Sequence, residues 1–288
     1  MFIRLSFSDL VRFCVIVVLV MIFARFVGKS LASSRFFSLQ EGSALFGAQY
    51  SNMATDELRK EYAPGREYRV EPRGKHTATV IFLHGLGDTG AGWSYEFENS
   101  VSVLFPHVRF IFPTAPTLSV SLNFGMRMPA WYDIKTLDKS GPMDEDRILL
   151  GRELVESYIS KEAESGIPSS RVVVAGFSQG GAIALVAGLM HSQTLAGIAG
   201  LSTYFAMGEK VAAQLTDENK KTPVIMFHGK ADPVVQFHFG KSSSEAIERA
   251  GVPMTFKAYE GLPHSSCPEE MQDLVKWLNE RIPPTSNH

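Results

Sequence analysis

The chain has 288 residues, 45% of them apolar, and a formal net charge of −2 at pH 7. That length suits one α/β domain plus an extension, and the near-neutral charge excludes the basic surplus of a nucleic-acid binder. Cys14 and Cys267 stand in unlike settings and make no disulfide framework, which suits a reducing compartment, and no metal-ligand spacing or internal period occurs.

Phe13–Ala24 is an uncharged, almost wholly apolar run bracketed by Arg12 and Arg25. It is shorter than the roughly 20 residues that span a bilayer unless the two arginines snorkel toward the head groups. Four readings fit it. It is a signal-anchor, with Arg25, Lys29 and Arg35 favouring a cytosolic downstream domain, or a cleaved secretory signal ending near Ser30-Leu31-Ala32. Otherwise it is a mitochondrial presequence rich in basic side chains, or an extension absent from a form started at Met53. No Asn-X-Ser/Thr acceptor occurs, which leans against secretion. The expected organisation is an apolar segment over residues 1–28, a Ser/Ala/Gly-rich linker over 29–61 and one domain over 62–288. Cytoplasmic location, with membrane association through residues 10–28, is the expectation; the secretory and mitochondrial routes are the alternatives.

Beyond the linker, short apolar runs alternate with longer helical patterns, the signature of a mostly parallel sheet wrapped by helices. Predicted strands are Arg66–Val70, Ala78–Leu83, Val108–Phe112, Arg171–Ala175, Gly197–Leu201, Val224–His228 and Met254–Tyr259. Predicted helices are Trp93–Leu104, Asp146–Ser165, Gln179–Met190, Phe239–Ala250 and Pro268–Arg281. In the second of these, Ile148, Leu149, Val155, Tyr158, Ile159 and Ala163 form the inward stripe. Pro113–Ile134 lacks a stable period and is rich in Met and aromatic side chains; it reads as a flexible apolar loop suited to a fatty-acyl tail, or as cover for the sheet edge.

Gly176-Phe177-Ser178-Gln179-Gly180 follows a β-branched run and leads into a small-residue apolar helix. A serine between glycines at a sharp strand-to-helix turn is the nucleophile elbow of α/β-hydrolases; a plain Gly-rich turn is the bland alternative. Such a serine needs a base, and the base needs an acid to orient it. Asp232 and His264 follow in the required order, each in a loop just past a predicted strand. Taken singly, Asp232 could be a turn former and His264 a surface residue; order and loop placement together favour the catalytic reading. His228 and His238 are rival bases, His228 the better candidate for holding its loop. The oxyanion donors expected are the backbone N–H groups of Gln179, at a helix N-terminus, and of Leu86, in the glycine-rich loop His84-Gly85-Leu86-Gly87-Asp88-Thr89-Gly90. That loop lacks the G-x-x-x-x-G-K-[ST] order of a P-loop, and a phosphate cradle is the weaker reading of it.

These segments, with Met128-Pro129-Ala130-Trp131-Tyr132-Asp133-Ile134, Gly166-Ile167-Pro168, His228-Gly229, Asp232-Pro233, Tyr259-Glu260-Gly261 and His264-Ser265-Ser266-Cys267, resemble the acyl-protein thioesterase (lysophospholipase/carboxylesterase) family of α/β-hydrolases. The resemblance implies a serine hydrolase that cleaves long-chain acyl thioesters from S-acylated proteins and can hydrolyse lysophospholipids and small esters. It implies no cofactor, metal or nucleic-acid partner. Ser178 would be the nucleophile, His264 the base, Asp232 its partner, and Leu86 and Gln179 the oxyanion donors. Trp131, Tyr204 and Phe239 are the expected acyl-binding side chains. Two positions depart from the family pattern: Ser202-Thr203-Tyr204-Phe205 stands where a tryptophan is usual, and Thr114 where a histidine is common. A general carboxylesterase or lysophospholipase, and a non-catalytic lipid-binding protein that keeps the fold, are the competing readings.

Overall fold

Alternation in the strands decides the layering. In β2 (Ala78–Leu83) every residue is buried, yet successive side chains go to opposite faces. Ile81 and Leu83 join one core while Ala78, Val80 and Phe82 join the other. The computed structural model describes residues 56–136 and 141–285, so the apolar N-terminal run and nearly all of the expected linker lie outside the described residues. Residues 56–61, expected as the end of that linker, are helical.

The sheet has seven strands. β1 (Tyr68–Val70), at one edge, runs antiparallel to β3 (Val108–Phe112); the others are parallel, in the order β1, β3, β2, β6, β7, β8, β9. β6 is Val172–Phe177, β7 Gly197–Leu201, β8 Val224–Gly229 and β9 Met254–Tyr259. On one face lie α2 (Glu145–Glu164), α3 (Gln179–Met190), the short α4 (Gly208–Ala212) and α5 (Phe237–Arg249). On the other lie α1 (Gly90–Asn99) and α6 (Pro268–Arg281). Buried from Gln179 to Leu189, α3 is sandwiched beneath α2, as a helix apolar on all sides must be. Among the described residues no helix is long and apolar enough to cross a membrane.

Three local expectations are corrected. The segment Pro113–Ile134 is not a structureless loop: it carries a hairpin of β4 (Thr117–Val120) and β5 (Met126–Pro129). Leu118 and Val120 alternate inward with Thr117 and Ser119 outward, a period of two hidden by the short length. The turn has positive φ at both Phe124 and Gly125, and Phe124 stands where Asn would have announced it. The first helix starts earlier and ends at Asn99, with Ser102–Leu104 continuing as a separate 3-10 turn. In α2 the inward stripe uses Leu150, Gly151 and Glu162 where Leu149 and Ala163 were expected. Glu162 is buried because Arg109 (2.9 Å) and Thr79 (2.5 Å) satisfy its carboxylate from the sheet.

α6 begins with Pro268 at its first turn and carries Glu270 inward, fully buried. Burial pushes that carboxyl up to about 8, against a smaller opposing pull from the Cys267 backbone. A raised native value means that this group's stability is present at acid pH and lost as pH climbs from the ordinary carboxylate range through 8. Glu270→Gln should therefore melt higher than the parent at pH 8.5 and match it near pH 4. Thermal melts across pH check this, and equal melting at pH 8.5 would refute it.

Candidate active site

The elbow sets the geometry. Ser178 caps α3 at φ 53°, ψ −119°, a backbone state that costs a side-chain-bearing residue about 1–3 kcal/mol. Its surroundings over-determine it. The Ser178 N–H donates to the Leu201 carbonyl at 2.8 Å, and its own carbonyl accepts from Ala182 N–H (3.1 Å) and Thr203 Oγ1 (2.7 Å). Glycine is required on either side by close approach: a Cβ on Gly176 would lie 2.5 Å from the Gly180 carbonyl carbon. One on Gly180 would overlap the Leu83 and His84 carbonyl oxygens. The turn thus presses the serine against the end of β2.

Ser178, His264 and Asp232 form a continuous hydrogen-bonded row. His264 Nε2 lies 2.9 Å from Ser178 Oγ, and its Nδ1 lies 2.7 Å from Asp232 Oδ2. Asp232 Oδ1 accepts the backbone N–H groups of Val234 (2.8 Å) and Val235 (2.9 Å), satisfying the carboxylate as an ion. An ionised carboxylate only accepts, so the Nδ1 proton points to it and Nε2 presents its lone pair to the serine hydroxyl. The Asp232 side chain is fully shielded while Ser178 and the His264 side chain keep 9% and 11% of their surface open, so solvent reaches the row at the serine and histidine end. Phe177 packs on the imidazole with ring centroids 4.9 Å apart. Of the rival bases, His228 is buried and spends Nε2 on the Val235 carbonyl at 2.8 Å, holding the Asp232 loop, while His238 is exposed beside Phe239.

Among the described residues, neither the Leu86 nor the Gln179 backbone N–H donates to a protein acceptor. Two unspent donors beside a serine hydroxyl are what a developing oxyanion would require. Each is braced by a side chain whose role the sequence did not reveal. His84, directly after β2, is fully buried; its Nδ1 lies 2.7 Å from the Gly85 carbonyl and its Nε2 accepts the Ala115 N–H at 2.9 Å. Burial holds this imidazole down at about 4, only partly offset by the Gly85 carbonyl, so it stays neutral near pH 7 and keeps both bonds. The Gln179 side chain reaches the opposite wall, its Oε1 accepting Trp131 N–H at 2.8 Å and its Nε2 donating to the Tyr132 carbonyl at 2.7 Å. Thr114, at the second departing position, accepts the Gly90 N–H at 3.0 Å.

The three expected acyl-binding side chains fare differently. Trp131 is a correction: it is fully buried, its indole N–H donating to the His84 carbonyl at 2.8 Å, so it supports the loop from behind. Tyr204 is half-buried, and its hydroxyl lies 2.7 Å from that of Tyr132. Phe239 is half-buried on α5, and its carbonyl accepts from Ser243, whose Oγ in turn takes the Phe205 N–H, so it backs the Tyr204 loop. Among the described residues no group of three or more His, Cys, Asp or Glu side chains gathers as a metal site. Gly180→Ala should cost at least about 2 kcal/mol, because the colliding atoms are backbone and cannot swing aside. Chemical denaturation checks this, and an unchanged midpoint would show that the elbow has room to spare.

Comparison with known proteins agrees with this architecture. Residues 66–282 match the phospholipase/carboxylesterase family. Acyl-protein thioesterase 1 of Yarrowia lipolytica is 44% identical over 218 residues, covering 74% of this chain and 96% of the relative. The protein of that name from Cryptococcus neoformans var. neoformans is 41% identical over 233 residues, covering 75% and 98%. Among solved structures, Zea mays acyl-protein thioesterase 2 superposes with a TM-score of 0.69 at 31% identity, covering 76% of this chain and 99% of that one. Arabidopsis thaliana SOBER1 gives a TM-score of 0.66 at 32% identity, covering 72% and 99%. With three quarters of its length matched and its elbow, sheet order and flanking helices in place, the chain belongs to the phospholipase/carboxylesterase family of α/β-hydrolases.

Proposed function

We propose that this chain is an acyl-protein thioesterase: a serine hydrolase that removes long-chain acyl groups from S-acylated cysteines through an acyl-enzyme. The observation that carries the reading is the hydrogen-bonded row Ser178–His264–Asp232, already aligned for proton transfer. Relatives of that name, at 41% and 44% identity and nearly full coverage, support the choice of thioester.

The geometry dictates the sequence of steps. Ser178 Oγ attacks the thioester carbonyl carbon as His264 Nε2 takes its proton, and the Leu86 and Gln179 N–H groups receive the negative oxygen. Asp232 stabilises the imidazolium and fixes its orientation. Collapse of the tetrahedral adduct breaks the carbon–sulfur bond, and His264 returns the proton to the departing cysteine sulfur. A water then gives a proton to His264 and attacks the acyl-serine; the second collapse releases the fatty acid and restores the hydroxyl.

An apolar surface beside the oxyanion loop favours a fatty substrate. The Gly87 N–H donates to the Pro129 carbonyl at 2.8 Å, holding the β4–β5 hairpin against that loop, and the hairpin's Phe124 and Met126 are exposed. An oxygen ester of the same acyl chain would follow the same steps, so lysophospholipids are secondary substrates on this reading. Association of residues 10–28 with a membrane would bring the enzyme to acylated proteins there.

Ser178→Ala should lower kcat on a palmitoyl-thioester peptide by about 10⁴-fold or more and abolish fluorophosphonate labelling while the melting temperature holds. Retained labelling would remove Ser178 from the nucleophile role. Among substrates, kcat/KM should rank the palmitoyl-thioester peptide above lysolipid and short p-nitrophenyl esters. The reverse ranking would favour a general esterase.

A further inference from the structure

A strap of residues outside the family match reaches the site from behind. Residues 56–65 precede Arg66, where the match begins, and are fastened at several points. Arg59 forms a two-pronged pair with Glu153 (2.5 and 3.0 Å), and Glu61 pairs with Arg147 at 2.7 Å, both on α2. Tyr62 is buried with Leu118, Val120, Ala130 and Leu150, and Leu58 packs on the same cluster. Gly65 N–H donates to the Thr114 carbonyl at 2.9 Å.

The polar end of Tyr62 is more specific than this packing requires. Its hydroxyl donates to the Trp131 carbonyl at 2.8 Å. Gly151 lies beneath it in mid-α2, where a Cβ would come within 2.9 Å of that hydroxyl. Glycine inside a helix is destabilising relative to alanine, so the helix gives up stability where the hydroxyl needs room. Burial raises the phenol far above its ordinary value, so it remains a donor at every working pH.

Trp131 links this hydroxyl to both proposed oxyanion donors. Its backbone N–H holds the Gln179 side chain at 2.8 Å, and its indole N–H holds the His84 carbonyl, two residues before Leu86, at 2.8 Å. Fixing the Trp131 carbonyl therefore restrains one side of the Cα from which both anchors, the N–H and the indole, project. We propose that Tyr62 is a positioning residue for the oxyanion hole, acting through Trp131 from a segment outside the family domain. The inference rests on the assignment of Ser178, Leu86 and Gln179 made above.

The test uses the full chain and two variants. Tyr62→Phe keeps the buried ring and deletes only the hydroxyl; Arg59→Gln loosens the strap at an exposed ion pair without touching that hydroxyl. For Tyr62→Phe, kcat on a palmitoyl-thioester peptide should fall about threefold to tenfold, the range of one neutral hydrogen bond. KM should stay within about twofold, since the loss falls on the transition state. The fluorophosphonate inactivation rate should drop alongside kcat. Arg59→Gln should leave all three unchanged. A Tyr62→Phe protein with lowered melting temperature but parental kcat and inactivation rate would overturn the proposal, as would equal losses in both variants. Ser178→Ala separates the two layers. Activity surviving in that variant defeats the nucleophile assignment, whereas a silent Ser178→Ala with a fully active Tyr62→Phe defeats only the role of Tyr62.

Discussion

Gly180 lies so near the Leu83 and His84 carbonyls that no side chain fits between them, and this backbone contact fixes where Ser178 and the Gln179 N–H stand. It brings the first turn of α3 against the C-terminal end of β2. The two free N–H groups thereby come from adjacent strands' loops rather than from one flexible segment. The strain at Ser178 is tolerable only because the contact is tight: its N–H, its carbonyl and the glycines on either side are all committed. A looser elbow would let the serine backbone relax into an ordinary conformation, away from His264.

Around that contact the polar groups divide their labour by charge. Asp232 is ionised and saturated by backbone donors on one oxygen, leaving the other for His264. His84 is neutral and buried, one nitrogen donating and the other accepting, which suits a brace and not a base. The same residue type is thus given opposite settings by burial and partners. The Gln179 amide, with one donor and one acceptor engaged on successive residues of the facing wall, restrains that wall without bringing a charge near the serine.

The strands and the meeting of Ser178, His264 and Asp232 were readable because each rests on a local rule. Apolar runs of strand length gave Ala78–Leu83, Val108–Phe112, Gly197–Leu201 and Met254–Tyr259 with their observed ends. The order of Ser178, Asp232 and His264 needed only the placement of loops past parallel strands. What escaped depends on partners distant in the chain or on an atypical turn residue. Phe124 in a left-handed conformation disguises a hairpin. Trp131 looked like a lining side chain because its sequence neighbourhood is apolar, but nothing local tells that its indole N–H will find a carbonyl 47 residues earlier. Tyr62 is harder still, for its partner is a main-chain oxygen 69 residues on, which carries no residue-type signature at all. Glu162 shows the remaining difficulty: a charged residue turns inward when Arg109 and Thr79 wait for it, and only the assembled sheet reveals them.

The complete enclosure of α3 has a consequence for how such an enzyme can diversify. A helix with no face to solvent offers evolution nothing to adjust, since any altered side chain must find space among neighbours already in contact. The Ser178 hydroxyl is therefore mounted at the head of the least negotiable helix of the molecule. Novelty in what the enzyme accepts has to arise at the rim, in the hairpin and the Tyr204 segment, where insertions and replacements leave the machinery beneath undisturbed.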